Sequence, residues 1–535
     1  MTSDNTTFLE DNDPAQPTPS PGAVVTGASS LDERFTVLKD RVLAKRPILR
    51  SILKKKGNKP LYEYSNEYVD VNLNPTIMKR QHECLSTIHE ATKERYGEET
   101  ADSVVAQLEK HYFVSTADHV GPMVHPFFVN SNILTALAQE ALSDPTLRYL
   151  VVLACANISL NNSSFPRGLF FNSYKNDTLR QHRLAFLPSN SHSSSVYNFR
   201  PYTKQEIAKV ENQLEEIAKT GEVEPAHIER LHDLIRSVYA TPEILAAGSY
   251  REQVAKTNRQ LWKKFFEKSD AKIPELLYLD QEDIVVRLLT KYHLTQDTVL
   301  NHILFDPTYE PYINANFEGI FGSFSRKDAV GTYLFWALPK GEKLNKQLWR
   351  KGNYLVTKNE SYKIELHPEA IREAMLNKEL VPSLLLNFMT ISFYYGLKCL
   401  GGFSQVNYLT LMKNSYIKMN ADLSNYRSIE TCARAQTKEI CCGLSLAFLG
   451  YNENSIGLAS GIDLFLHSDA DSWNKIRALS KKITLEESLN PLMPDIYRIS
   501  YDEKEWEPDL LQLTNEDITR HTGLRNKIDP CISLS

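Results

Sequence analysis

Two prolines set inside a short polar stretch constrain this chain more than any other feature. Residues 113–132 read FVSTADHVGPMVHPFFVNSN. Pro122 and Pro126 hold φ at roughly −65° and disfavour helical geometry in the residue before each, which drives Gly121 and His125 toward extended or turn conformations. A regular helix is thereby excluded over 118–125, and Asp118, His119 and His125 can meet in a tight loop. On a helix the two histidines, six positions apart, would face different ways. Pro126 suits the first turn of a helix over the apolar residues that follow, and the N-terminus of such a helix favours anions. Polar groups this dense between apolar neighbours predict a buried or half-buried site.

Strand signals are fewer than helical ones. Residues 148–156 (RYLVVLACA) form an unbroken apolar run, the pattern of a strand covered on both faces. A second strand-like piece follows the polar loop at 161–168, and a third lies at 183–188. From 319 to 358, aromatic and aliphatic residues alternate between glycine-bearing turns, which predicts antiparallel hairpins that extend the same sheet. Helical periodicity dominates elsewhere. Residues 383–400 (SLLLNFMTISFYYGLKCL) read as a buried core helix capped by Gly401 and Gly402, and 429–449 as another helix, carrying Cys441 and Cys442. The expected fold is α+β, with a mixed or antiparallel central sheet surrounded by many helices. Its expected parts are a disordered tail over 1–30, an N-terminal helical region over 31–112, a core built from 113–200 and 270–535, and a helical insertion or lid over 201–269.

Composition narrows the function classes. Of 535 residues, 42% are hydrophobic and 24% charged, and the formal net charge of −5, with 61 basic residues scattered along the chain, gives no nucleic-acid footprint. Lys54, Lys55 and Lys56, with Lys45, Arg46, Arg50 and Lys59, make one modest basic patch that reads as a solvated helix end or an anion contact. Seven cysteines without a CxxC pair indicate neither a disulfide framework nor a zinc ribbon, and they suit a reducing cytoplasm. No basic-then-apolar leader is present. The longest apolar run, broken by Asn387, Thr390, Ser392 and Lys398, falls short of the ~20 predominantly apolar residues a membrane span needs. The expected partner is a small-molecule ligand, with no nucleic acid and no membrane.

Asp118, His119 and His125 offer hard and borderline ligands to a divalent metal such as zinc or manganese, with Asp463, His467 or His192 as distal ligands. An open coordination position would bring the pKa of bound water to roughly 7 and supply a nucleophile for hydrolysis. The string DHVGP at 118–122 resembles the acidic-x-His-Gly-Pro loop of creatininase-type amidohydrolases, although here Asp118 and His119 are adjacent and Val120 separates His119 from Gly121. That resemblance implies a metal-dependent hydrolase acting on a small polar or anionic molecule, with acidic and histidine ligands.

Two other readings stay open. In a metal-free enzyme or ligand-binding protein, Asp118 and His119 act as an acid/base pair, while Asn130, Asn132, Asn161, Asn162, Arg167 and His192 hydrogen-bond a small carboxylate or phosphate. In a non-enzymatic interaction protein, the polar loops are satisfied structure and the helical insertion is the working surface. Ser404 lacks the G-x-S-x-G elbow of a nucleophilic serine, and Cys442 reads first as packing. His82 and His89, a heptad apart on one predicted helix, also read as packing because the sequence sets no acid beside them. Neither an HExxH motif nor a phosphate-cradling glycine loop occurs.

Overall fold

The structure, a computed structural model, describes residues 30–71, 78–452 and 455–534. The expected N-terminal tail, apart from Ser30, lies outside them. At the centre are five strands, β1 (Phe113–Ser115), β2 (Tyr149–Ala154), β3 (Glu275–Asp280), β4 (Lys398–Gly402) and β5 (Ile440–Cys442). Their order across the sheet is β5-β4-β1-β2-β3, and every neighbouring pair is parallel. β2 shows why the run is apolar throughout. Leu150, Val152 and Ala154 enter one buried cluster and Tyr149, Val151 and Leu153 the other. A strand buried on both faces needs an apolar side chain at every position, each large aliphatic contributing about 1.5–3 kcal/mol.

Helices cover both faces. They are α1 (Leu31–Ala44), α2 (Pro47–Lys56), α3 (Met78–Tyr96), α4 (Glu98–Lys110), α5 (Pro126–Leu142), α6 (Lys204–Thr220), α7 (Pro225–Leu234), α8 (Tyr250–Phe265), α9 (Gln281–Tyr292), α10 (Gln405–Asp422) and α11 (Gly461–His467), among other helical segments. Val129, Ile133 and Leu137 of α5 and Val254 and Leu261 of α8 fill the first cluster. Ile88 of α3, Leu108 of α4, Leu288 of α9 and Leu409 of α10 fill the second. The helix that follows β1 therefore covers one face, and the helix that follows the adjacent β4 covers the other. Where a parallel sheet reverses its strand order in this way, the chain parts at the carboxyl ends of the two strands and leaves a crevice.

The α+β organisation with many helices is present, and its five-stranded centre is parallel. Antiparallel pairing is confined to small peripheral sheets. The 319–358 hairpins do not extend the central sheet, because their strands are two or three residues long and pair among themselves or with nearby short strands. Gly168–Lys175 and Thr178–Ala185 form a hairpin of their own, closed by Asn176 and Asp177 at φ 50° and 57°, the left-handed pair that a two-residue turn requires.

Two helical expectations give way to central strands. Helix ends within 383–400, after Leu384–Phe388 and a wider turn over Met389–Tyr394, and Gly396 at φ 68° turns the chain into β4. Gly401 and Gly402 thus close a strand instead of capping a helix. Lys398 disguises that strand: it is buried, with its ammonium donating to the carbonyls of Glu67 and Asp70. Within 429–449 the helix Tyr426–Arg434 stops before β5, which at three residues is too short to carry a period-two signal. Across 201–269, α6 ends at Gly221 with φ 64° and α7 begins at Pro225, while α8 belongs to the layer over the sheet. No helix among the described residues is long and apolar enough to cross a membrane.

Leu153 packs in the second cluster with no exposure. Leu153→Ala is expected to lower stability by about 2–5 kcal/mol in urea unfolding, and a loss under ~1 kcal/mol would contradict burial of β2 on both faces.

Candidate functional site

Beyond β1 the chain stays beside β2. The Cys155 amide donates to the Asp118 carbonyl at 2.9 Å, and the Val120 amide donates to the Cys155 carbonyl at 2.9 Å. Asn258, fully buried on α8, accepts from the Met123 amide and donates to the Gly121 carbonyl, both at 2.9 Å. A Cβ on Gly121 would lie 2.7 Å from Pro166 Cα, so glycine alone lets this loop press against the loop that leaves β2. The twice-kinked segment is therefore pinned at the carboxyl edge of the sheet.

Its side chains diverge in role. Asp118 is fully buried, and its Oδ2 accepts from Asn132 Nδ2 at 2.8 Å and from the Tyr278 hydroxyl, while Oδ1 has no hydrogen-bond partner. Burial pushes its carboxyl up to about 7, with the two hydrogen bonds acting the other way. His119 is half-buried, and its Nδ1 lies 3.2 Å from Asn162 Oδ1. That oxygen also accepts from the amide and hydroxyl of Ser164, which assigns the Nδ1 proton to the imidazole and leaves Nε2 as the lone-pair nitrogen. Burial lowers His119 to about 4, so the ring is neutral at pH 7. No hydrogen bond joins Asp118 to His119 among the described residues, as expected of adjacent residues in extended chain.

His125 caps α5. Its Nδ1 accepts from the Phe127 amide at 3.2 Å, and burial followed by the nearby His119 lowers it to about 4. The Phe128 ring lies 5.4 Å from the ring of His119 and 5.7 Å from that of His125.

The remaining sequence-predicted residues divide into neighbours and structural supports. Asn162 lies beside His119, and the Asn161 amide donates to the His192 carbonyl at 3.0 Å, so the 155–168 and 189–199 loops meet here. Asn162 Nδ2 is buried without a partner. Asn130 is spent on structure, accepting from the Leu446 and Ala447 amides and donating to the Pro126 carbonyl. Asn132 braces Asp118. The Arg167 guanidinium stacks 5.2 Å from the Phe165 ring centre. Asp463 closes the capping box of α11 and accepts from the Asn172 amide and side chain at 2.7 and 2.6 Å. His467 packs edge-on to His227 with ring centres 4.6 Å apart.

As a ligand set for zinc or manganese, Asp118, His119 and His125 fit poorly. The carboxylate is turned to Tyr278 and Asn132, and one imidazole is turned to its helix cap. Among the described residues, the one group of three ligand-bearing side chains that meets closely enough is His89, Glu98 and Asp102, far along the fold.

Across from the Asp118 loop, the role of Gln405 and the start of α10 escaped the sequence reading. After β4, Gln405 Nε2 donates to Thr116 Oγ1 at 2.6 Å and ties the start of α10 to the Asp118 loop. Ser404, the residue before α10, makes no side-chain cap bond, so the helix itself supplies no partner for its first amides. Arg46, between α1 and α2, is 7% exposed. Its guanidinium donates to Ser500 Oγ at 2.5 Å and reaches Ser404 Oγ at 3.4 Å, with the Phe403 ring centre 5.4 Å away. Burial lowers it to about 10, and no carboxylate answers its charge among the described residues. The basic patch in the sequence pointed at this region, but nothing local marked Arg46 as its buried member. Among the described residues no histidine or carboxylate hydrogen-bonds Ser404, and burial raises the Cys442 thiol well above its ordinary value, which disfavours both as nucleophiles.

No family model and no curated protein matches the chain.

Asp118 also sets a pH dependence. Its carboxyl titrates near 7 in the folded protein against an ordinary 3.8. Between those values the folded state holds a proton that the unfolded chain has lost, so stability falls as pH rises through that window, by up to ~4 kcal/mol. Asp118→Asn keeps an acceptor for Tyr278 and Asn132 and is expected to flatten the slope in urea unfolding between pH 4 and 8. Equal slopes in the two proteins would refute the assignment.

Proposed function

We propose that this protein binds and acts on a small anionic molecule in the crevice between residues 116–119 and 402–405, without a metal, with His119 taking a proton from the substrate through Nε2. The observation that carries this reading is the state of His119. Its ring is neutral at pH 7, its tautomer is set by Asn162, and it lies at the carboxyl edge where the sheet reverses order. A general base must be unprotonated and fixed in direction before substrate arrives, and His119 is both; an anionic substrate beside the ring raises its basicity from about 4 toward the working pH, as proton transfer requires. Asp118 is a positioning residue that holds the loop through Tyr278 and Asn132.

The anionic end of the substrate meets Arg46, the Ser404 hydroxyl and the first amides of α10. A helix N-terminus beside a buried guanidinium with no carboxylate favours a phosphate or carboxylate. A reducing, cytoplasmic setting fits seven free cysteines, five of them in strands or helices and all with thiols raised by burial.

Thermal melts of wild type, Arg46→Met and His119→Ala against a panel of small phosphates and carboxylates test this reading. A ligand present at a hundred times its Kd adds about 2.7 kcal/mol, so wild type should melt several degrees higher with at least one of them. Arg46→Met should lose that gain, while His119→Ala should keep the gain and lose turnover. A panel that moves no wild-type melt contradicts the proposal and favours an interaction protein.

A further inference from the structure

The helical hairpin of α3 and α4 carries a second cluster that neither the sheet nor the crevice uses. Gly97, at φ 91°, is the single residue between the two helices, and it folds the start of α4 back against the end of α3. Three side chains meet at this turn. His89 Nε2 lies 2.9 Å from Asp102 Oδ1 and 3.8 Å from Glu98 Oε1, and the three ligand atoms all lie within 4.8 Å of one another.

Glu98 and Asp102 are one turn apart on α4, so they present their carboxylates on one face, and His89 reaches them across the hairpin. The sequence could not show this, because the acids that face His89 come from the next helix.

We propose that His89, Glu98 and Asp102 bind a divalent cation of the zinc type. In a tetrahedral zinc site, nitrogen and oxygen ligands at about 2.0–2.1 Å stand roughly 3.3 Å apart. The distances of 2.9 and 3.8 Å from His89 bracket that spacing. One imidazole nitrogen with two carboxylate oxygens is a borderline donor set that zinc accepts, and the exposed side of the cluster leaves a position for water. Side-chain exposure of 26% for His89, 54% for Glu98 and 68% for Asp102 gives an ion direct entry from solvent.

Lys93 competes for Glu98. Its ammonium pairs with the second oxygen of Glu98, one turn before the glycine. Binding moves Lys93 off Glu98 and carries His89 to the metal through Nε2 with its proton on Nδ1. The ion then clamps α3 to α4. Because Arg95 and Tyr96 at the end of α3 hydrogen-bond Tyr278 and Asp280 of β3, the clamp tightens the helix layer against the sheet. This site lies apart from the crevice and does not depend on the function proposed there.

Calorimetric titration of chelator-treated full-length protein with zinc chloride tests the inference, in parallel with His89→Ala, Asp102→Asn, Lys93→Gln and His119→Ala. Wild type and His119→Ala should each take up about one zinc per chain. His89→Ala and Asp102→Asn should weaken binding at least tenfold, and Lys93→Gln should strengthen it by freeing Glu98. Zinc should also raise the melting temperature of wild type and not that of His89→Ala. No zinc uptake by wild type, uptake unchanged in His89→Ala, or uptake lost in His119→Ala would each overturn the assignment.

Discussion

Because β2 sends its side chains alternately into two buried clusters, it has no room for polar side chains along its length, and the buried carboxyls around it sit at the carboxyl ends of the strands. Glu282, in the first turn of α9, shows the consequence. It is fully buried, and its two carboxylate oxygens accept from the amides of Ala156 and Asn157 where β2 stops. A buried carboxylate is tolerated when backbone amides answer it, and here the amides are those that the end of a strand leaves unpaired. Asp280, at the end of β3, is balanced instead by Arg95 and Arg251 at 2.9 and 2.6 Å, and together they hold it well below its ordinary range. Each strand end is thus fixed by a different electrostatic device.

Asp118 is the exception among these carboxyls. It has neither an arginine nor a set of amides, only Asn132 and the Tyr278 hydroxyl on a single oxygen. The fold bears that cost because the same contacts join β1, α5 and β3 at one point. They also hold the backbone that carries His119. A neighbour that costs stability while fixing the direction of an imidazole is the kind of trade found at functional sites.

Much of this was readable from the residues. The apolar run at 148–156 announced a strand covered on both faces, and the paired prolines announced a loop followed by a helix starting at Pro126. The parallel nature of the sheet was not readable, because β1, β4 and β5 are three to five residues long and β4 contains a lysine and two glycines. Within the site, the loop of Asp118 and His119 was legible from local steric rules. What each side chain does was not: the partners that decide it, Tyr278, Asn162 and Leu446, lie 43 to 316 residues away in sequence. Arg46 and the start of α10 were hidden for the same reason, since a buried guanidinium is recognised by the carboxylate it lacks.

The account rests on an imidazole that is neutral, carries its proton on Nδ1 and keeps Nε2 open. Long-range proton–nitrogen NMR spectra of histidine-labelled protein, with His119→Gln to assign the signal, read that state directly. His119 is predicted to remain an Nδ1-protonated neutral ring from pH 8 down to pH 5 and to titrate only near 4. Titration near its ordinary 6.5, or a proton resting on Nε2, would contradict the account.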